Sequence, residues 1–194
     1  MTTKTKIHRT MLTLTAITAL SAIACEDPPE VSAALEDLSP VERGLYLVTV
    51  GGCHDCHTPW VPTHDGAAPD MTRALSGHPA DLEMPPAPAA QGPWMISLAG
   101  TNTAYSGPWG TSFTANLTPD DETGLGTWDT QTFIDTIRNG RHMGRGRPLL
   151  PPMPAQNYAQ MTDEDLAAVF AYLQSIPPVR NRVPTPRPPA VASL

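Results

Sequence analysis

Cys53-His54-Asp55-Cys56-His57 is the stretch around which we expect the rest of this chain to fold. A Cys-x-x-Cys-His pentad is typical of the attachment site of a c-type haem. Two cysteines three positions apart on one helical turn can each bond a vinyl group of one porphyrin, and the next histidine then faces the iron. The sequence therefore predicts one covalent haem c, held by Cys53 and Cys56, with His57 as an axial ligand.

Two other kinds of site share the Cys-x-x-Cys core. A structural zinc site needs four ligands, usually from two such knuckles, whereas the only further cysteine is Cys25. A redox-active dithiol of the thioredoxin type requires a βαβ context, whereas the flanks of the pentad predict a helix and a proline-rich loop. An exported dithiol or zinc module is therefore the weaker alternative.

The N-terminus predicts export. Residues 1–24 place three basic residues before an apolar run, and this run is too short to span a membrane. The Ala-Ile-Ala sequence before Cys25 fits ordinary signal peptidase and also a bacterial lipoprotein signal. We favour lipidation of Cys25, because it explains an odd cysteine in an exported protein. We then expect residues 25–38 to form an acidic tether, and the protein to lie on the periplasmic or outer-surface side of a bacterial membrane, anchored by its lipid.

Composition sets the remaining limits. Without the leader, nine basic residues face nineteen acidic ones, a formal charge of −10, which excludes nucleic acid as a partner. Length allows one domain, which we place at 39–180. Residues 181–194 form a proline-rich tail that we expect to be extended and poorly ordered.

The hydrophobic pattern predicts three helices. The first begins at Ser39-Pro40 and ends at Gly51-Gly52, the second covers 129–139, and the third follows the acidic cap at 162–165 and ends before Pro177. Residues 62–126 are dense in Pro, Gly, Ala and Thr, and we expect them to form a loop around the haem with one short helical turn near 71–75. The predicted fold class is all-α.

The iron also needs a sixth ligand or an open position. Met153 is our candidate, because prolines on both sides restrict the backbone that carries its thioether. His142 and Met143 lie in a glycine-rich turn that restrains them less, and Met161 precedes a helix cap, where it can act as a hydrophobic staple. Met84 and Met95 are further competitors.

These motifs resemble class I cytochromes c, and more narrowly the haem domains in cytochrome c subunits of bacterial membrane-bound alcohol and gluconate dehydrogenases. The resemblance rests on the pentad, Asn116-Leu117-Thr118-Pro119-Asp120, Glu122-Thr123-Gly124-Leu125-Gly126, Trp128, Pro152-Met153-Pro154, Tyr158 and Thr162-Asp163-Glu164-Asp165. It implies a small cytochrome c fold of three to four helices around one haem, with long Pro/Gly-rich loops and His57 and Met153 as the axial pair. It also implies that the first and last helices cross, with Gly44 admitting Phe170 or Tyr172.

The predicted function is single-electron transfer without catalysis, because two axial ligands leave the iron no position for a substrate. Expected partners are a dehydrogenase, an oxidase or another cytochrome, and the overall acidity suggests basic docking patches on them. The alternative is a haem with a labile sixth ligand that acts as a small-ligand sensor or a peroxidase-like enzyme. Further expectations concern side chains: propionate contacts by Arg138 and Arg141, a hydrogen bond from His57 to the Pro59 carbonyl, and surface positions for His54, His64 and His78.

Overall fold

The computed structural model describes residues 37–88 and 93–189. The helices in this part of the chain are α1 (Pro40–Val50), α2 (Cys53–His57), α3 (Thr130–Asn139), α4 (Ala155–Tyr158) and α5 (Asp163–Ser175). The strands are β1 (Trp60–Thr63), β2 (Gly66–Pro69), β3 (Ser97–Leu98), β4 (Ala104–Gly107) and β5 (Gly110–Phe113). The leader and Cys25 lie outside the described residues.

The prediction of an all-α fold is wrong, because the chain is mixed α and β. Strands β1 and β2 form an antiparallel hairpin, and β3, β4 and β5 form a three-stranded antiparallel sheet in that order. Nearly all of these strand residues lie in the stretch that we expected to be loop. The strands are at most four residues long and lack a sustained alternation of apolar and polar side chains, so their periodicity gives no strand signal.

The three predicted helices are confirmed as α1, α3 and α5, and α1 and α5 begin at the predicted caps. Ser39 and Glu42 form a reciprocal capping box on α1, Asp129 caps α3, and Thr162 caps α5. The predicted short turn is a 3-10 turn at Met71–Arg73. No helix in the described ranges is both long and apolar enough to cross a membrane.

Helices α1 and α5 pack directly against each other at Gly44. A Cβ at this position would lie 2.7 Å from the Tyr172 Cβ and would overlap the Ala168 carbonyl oxygen. The two helices are also joined by an ion pair between Arg43 and Asp165 at 2.6 Å. The close approach implied by the resemblance is therefore confirmed for Tyr172.

The hydrophobic core is shared by α1, α3 and α5. Phe133 of α3 and Phe170 of α5 stack with ring centroids 5.3 Å apart, and each belongs to the apolar face that helical spacing predicts. Leu75, from the segment after the 3-10 turn, is fully buried in the same cluster. The core thus depends on both the helices and the irregular segment between them.

The chain after α5 returns across the body of the protein, and we name residues 179–187 the strap. Asn181 donates hydrogen bonds to the carbonyl oxygens of Ser76 and His78, at 2.7 and 2.9 Å. Further along, Arg187 and Thr111 exchange two backbone hydrogen bonds of 2.9 Å, which extends the edge of β5. The described part of the tail contains no helix, and these hydrogen bonds fix it to the rest of the protein, whereas poor order was expected.

Candidate functional site

The pentad forms helix α2, one turn that follows α1 after a sharp change of direction. Gly52 makes this change with a φ of 65°, in the left-handed region that favours glycine. The Tyr158 hydroxyl donates to the neighbouring Gly51 carbonyl at 2.6 Å. The turn that carries the cysteines is therefore held from α4 as well as from α1.

The two thiols of α2 have different surroundings. Burial raises the pKa of Cys53 to about 11, with a smaller contribution from the nearby Cys56. The sulfur of Cys56 accepts a hydrogen bond from the Tyr105 hydroxyl at 3.1 Å, and this hydroxyl also lies 2.8 Å from the Asn102 carbonyl oxygen. Both cysteines are free, without a disulfide.

The His57 side chain is buried, and its hydrogen bond fixes its tautomer. The Nδ1 atom lies 2.8 Å from the carbonyl oxygen of Ala115. A carbonyl oxygen only accepts, so Nδ1 carries the proton and the lone pair of Nε2 is available to a metal. Burial lowers the pKa of His57, which further favours the neutral form.

The expected partner of His57 was a different carbonyl. The sequence predicts the Pro59 carbonyl as the acceptor, because Pro59 closely follows the histidine. The Pro59 carbonyl oxygen instead accepts a hydrogen bond of 2.9 Å from the Asp70 amide. The acceptor is Ala115, 58 positions along the chain. Sequence proximity does not reveal such a partner.

Residues 77 and 78 connect the segment that carries His57 with the segment that carries Ala115. The Gly77 amide donates to the His57 carbonyl at 2.8 Å, and the His78 amide donates to the Thr114 carbonyl at 3.0 Å. Gly77 has a φ of 78°, and a Cβ there would lie 2.7 Å from the Ala115 oxygen. The strap holds this segment from the other side through Asn181.

Met153 is half-buried and packs against the hydrophobic core, as Cys53 does. Its segment is fixed on the side of β5, where the Ser112 hydroxyl donates to the Pro151 carbonyl at 2.6 Å. The Met153 amide donates a hydrogen bond of 3.3 Å to the Leu150 carbonyl. This thioether therefore belongs to an anchored segment beside the same core as the pentad.

The competing ligand candidates differ in burial. Met95 and Met143 are 59% and 47% exposed, and His142 is exposed with its ring edge-on to Trp128 at 5.4 Å. Met161 packs against the core, consistent with the staple position before Thr162. Burial thus favours Met153 over the exposed candidates.

Arg138 and Arg141, the predicted propionate contacts, both bond protein groups. Arg138 pairs with Asp163 at 2.5 Å and also bonds the Ala159 carbonyl. Arg141 bonds the Gly146 carbonyl at 2.9 Å. Part of the donor capacity of each guanidinium is therefore used within the protein.

The remaining histidines occupy three kinds of surroundings. His64 is exposed as expected and His54 is partly buried, but the surface position predicted for His78 is wrong, because this side chain is fully buried. Within residues 37–88 and 93–189, no three His, Cys, Asp or Glu side chains lie close enough to hold a metal ion. This part of the chain gives the zinc alternative no support.

The groups around α2 suit a c-type haem. Two unpaired thiols are what thioether attachment requires, and a free imidazole Nε2 and a thioether are the usual axial donors of electron-transfer cytochromes. In the part of the chain that the structure describes, no group donates a hydrogen bond to the His57 Nε2. Cys53 and Met153 border one apolar cluster, which is the environment that a porphyrin face needs.

Comparison with known proteins also relates this chain to c-type cytochromes. The chain is 28% identical over 176 residues to the cytochrome c subunit of alcohol dehydrogenase (quinone) from Gluconacetobacter polyoxogenes, covering 89% of this chain and 29% of that protein. It is 29% identical over 140 residues to the gluconate 2-dehydrogenase cytochrome c subunit of Pantoea cypripedii, covering 72% and 24%. This chain is a relative of dehydrogenase cytochrome c subunits. The resemblance predicted from the sequence is confirmed.

A third relative is a subunit of nicotinate dehydrogenase from Pseudomonas putida, 32% identical over 173 residues, covering 88% of this chain and 11% of that protein. No protein-family model matches the chain. The cytochrome relatives support a haem electron carrier in general. The chain spans less than a third of the length of each of these three relatives.

Several residues of the site escaped the sequence reasoning. Ala115 and Gly77 act through the backbone, so their side chains carry no signal. Tyr105 lies in the stretch that we expected to be loop. Asn116 belonged to the resembling motif without an assigned role, and the structure shows its amide donating to the Val179 carbonyl of the strap at 2.7 Å.

Proposed function

We propose that this chain is an exported monohaem c-type cytochrome that passes single electrons between redox proteins. In this proposal Cys53 and Cys56 hold the haem through thioether bonds, and His57 and Met153 are the axial ligands. The observation that carries it is the pentad itself, folded as one helical turn whose histidine has its Nδ1 proton committed to Ala115. One Cys-x-x-Cys-His sequence in the chain supports a single haem.

When bound, the haem supplies a one-electron iron couple, and the chain determines how that couple behaves. The His57–Ala115 hydrogen bond orients the imidazole and increases its basicity. The anchoring of the Met153 segment by Ser112 favours a permanent sixth ligand. Ligation by both His57 and Met153 would leave a substrate no position on the iron, and we therefore propose electron transfer rather than catalysis for this chain.

A dehydrogenase is the proposed electron donor. The relatives include cytochrome c subunits of alcohol and gluconate dehydrogenases, and this chain matches only part of their length. We propose that it serves a dehydrogenase as a one-haem carrier, with an oxidase or another cytochrome as acceptor. The domain at 39–180 would be secreted behind the leader 1–24 and held at the membrane by lipid on Cys25 through the tether.

Covalent haem is tested on denatured protein. The chain is produced in a host with active c-type maturation, denatured in detergent and stained for haem, beside Cys53→Ala and Cys56→Ala variants. We expect stable staining of the wild type, because thioether bonds survive denaturation, and weakened staining of each variant. A colourless wild-type protein would contradict the proposal and favour the dithiol module.

The sixth ligand is tested by spectroscopy of the oxidised protein. We expect a low-spin spectrum with the near-infrared band of an iron–sulfur bond, lost in Met153→Ala and retained in Met143→Ala. Met143 is the matched control because it is exposed and lies on the same connection between α3 and α4. A high-spin wild-type spectrum would favour the sensor or peroxidase alternative.

A further inference from the structure

The connection after α3, which we name the arginine loop (residues 140–148), is an ordered hairpin. The His142 amide donates a hydrogen bond to the Arg147 carbonyl at 2.9 Å, and the Leu149 amide donates one to the Gly140 carbonyl at 2.8 Å. At the turn, the Gly144 amide donates to the Thr136 hydroxyl of α3 at 3.1 Å. The backbone is thus fixed before any partner arrives, which lowers the entropic cost of binding through its side chains.

The loop concentrates positive charge on an acidic protein. Its arginines Arg141, Arg145 and Arg147 are exposed, and within the described residues no carboxylate oxygen lies within 4.0 Å of their nitrogens. Asp135 faces the loop at Gly144, but its side chain accepts from Gln131 at 2.8 Å. Partial burial, followed by the charge of Arg147, lowers the pKa of His142, so the positive charge of the loop comes from arginine.

Most other described arginines are used differently. Four of them form ion pairs with carboxylates, namely Arg43, Arg73, Arg138 and Arg180. Arg187 bonds the Met84 carbonyl and lies over the Phe113 ring at 5.6 Å. Three like charges within seven residues repel one another unless an anion neutralises them. Acidic residues outnumber basic ones in this chain, but in the described part none of them forms an ion pair with these three arginines.

The arginine loop adjoins the candidate haem site. It connects α3 to the segment that ends at Met153, and its base is tied by the Leu149–Gly140 hydrogen bond. The His142 ring contacts Trp128, which packs against the same core as Cys53 and Met153. An anionic surface held by these arginines would therefore lie beside the group that exchanges electrons.

We propose that the arginine loop is the docking site for a redox partner, and that the partner presents a carboxylate-rich protein face to Arg145 and Arg147. This inference rests on the proposed electron-transfer function and replaces the expectation, drawn from net charge, of basic partner patches. Local charge at the point of contact, rather than the net charge, determines the salt dependence of encounter. Arg141 is left out because its guanidinium donates a hydrogen bond of 2.9 Å to the Gly146 carbonyl, whereas Arg147 makes only a longer contact of 3.4 Å with the carbonyl of the adjacent Pro148.

The test uses two small oxidants of opposite charge on the reduced holoprotein. Ferricyanide is anionic and tris(phenanthroline)cobalt(III) is cationic, and their stopped-flow rates are measured across ionic strength. We expect the ferricyanide rate to fall as salt increases and the cobalt rate to rise, which is opposite to what the net charge of the chain predicts. Polyglutamate, as a carboxylate-rich competitor, should slow oxidation by ferricyanide at low salt.

Arg145→Gln/Arg147→Gln should reduce the ferricyanide rate at low salt by about three- to tenfold and flatten its salt dependence. The control for the change in net charge is Arg180→Gln/Arg182→Gln, which removes the same charge from two exposed arginines outside the loop, of which Arg180 is ion-paired with Glu122. It should keep the wild-type sign of the salt dependence and the effect of polyglutamate. Haem staining of every variant verifies that the cofactor is attached.

Three results would overturn the inference. The first is a ferricyanide rate that rises with salt in the wild type, and the second is an equal rate loss in both double variants. The third is an unchanged salt dependence with a shifted midpoint potential in Arg145→Gln/Arg147→Gln, which would assign these arginines to the haem propionates. Absence of covalent haem is a separate result, which overturns the proposed function and this inference together.

Discussion

At the scale of single residues, the His57 imidazole is oriented by a carbonyl group that lies far from it along the chain. Cys53, Cys56 and His57 are recognised because their spacing is local. The carbonyl that accepts the His57 proton belongs to Ala115, which is brought close only when residues 75–78 pack between the two segments. An acceptor on the backbone has no side-chain signature, so only the folded structure identifies it.

Gly77 should control the position of that carbonyl. We expect Gly77→Ala to destabilise the protein by about 1–3 kcal/mol, because it combines a left-handed φ with a Cβ 2.6 Å from the Ala115 carbonyl carbon. Displacement of the carbonyl weakens the His57 hydrogen bond and makes the imidazole a poorer donor to ferric iron, so the midpoint potential should rise. Chemical denaturation and redox titration measure the two effects.

Gly66→Ala is the matched control for Gly77→Ala. Gly66 also has a positive φ, of 115°, but a Cβ there would meet no atom within 4 Å. Its substitution should therefore cost stability through backbone strain and leave the potential unchanged. If both variants shift the potential equally, the carbonyl of Ala115 does not mediate the effect.

His78 should make the protein sensitive to acid. Burial lowers its pKa in the folded state, and its Nδ1 accepts from the Thr103 hydroxyl at 2.9 Å while Nε2 donates to the Leu82 carbonyl at 3.2 Å. Because the unfolded chain takes up the proton first, the stability from this residue is complete above about pH 6.5 and is lost as pH falls below it. Nearby Arg187 disfavours the charged form further, whereas Asp81 favours it.

Urea unfolding between pH 8 and pH 5 tests this expectation. The free energy of unfolding should decrease by up to about 1.4 kcal/mol per pH unit below pH 6.5 from this one group. His78→Gln should reduce that slope, while His64→Gln should not, since His64 is almost fully exposed. Equal slopes for the wild type and His78→Gln would show that other groups carry the acid sensitivity.

At the scale of elements, helices are predictable here and strands are not. Helix α5 is indicated by Thr162, three acids in its first turn and buried positions at helical spacing. Strand β2 is Gly-Ala-Ala-Pro, a composition that no strand propensity favours. Its pairing with β1 follows from a tight turn and from the contacts around it, which the local sequence does not contain.

The crossing of α1 and α5 should depend on the missing side chain of Gly44. We expect Gly44→Ala to lower the free energy of unfolding by about 1–3 kcal/mol, because its methyl group would overlap the Ala168 carbonyl. Gly100→Ala is the control, since a Cβ there meets nothing within 4 Å. Thermal or chemical unfolding of both variants checks the prediction, and equal losses would contradict it.

At the scale of the whole molecule, the strap joins regions that are distant in sequence. Asn181 reaches the backbone of residues 76–80, Val179 bonds the Asn116 side chain, and Arg187 lengthens β5. Proline-rich composition suggested a free tail, because it cannot reveal hydrogen bonds made by a few asparagine and backbone groups. The strap is therefore part of the support behind the His57–Ala115 pair.

Asn181→Ala should loosen this support. We expect a loss of about 2–3 kcal/mol in stability, since the carbonyl oxygens of Ser76 and His78 lose a shared donor. Amide hydrogen exchange should accelerate at Gly77 and His78. The adjacent Arg182→Ala is the control and should leave both measurements near the wild type, whereas equal effects would indicate a general response of the chain end.

An exported chain that crosses its membrane N-terminus first gives the strap one more consequence. In that case the pentad reaches the far side before Asn181 does, so the histidine side of the site is without its last brace while the rest of the polypeptide is still crossing. A maturation enzyme on that side would meet an accessible Cys-x-x-Cys-His turn, and residues 179–187 would cover it only after haem attachment had become possible.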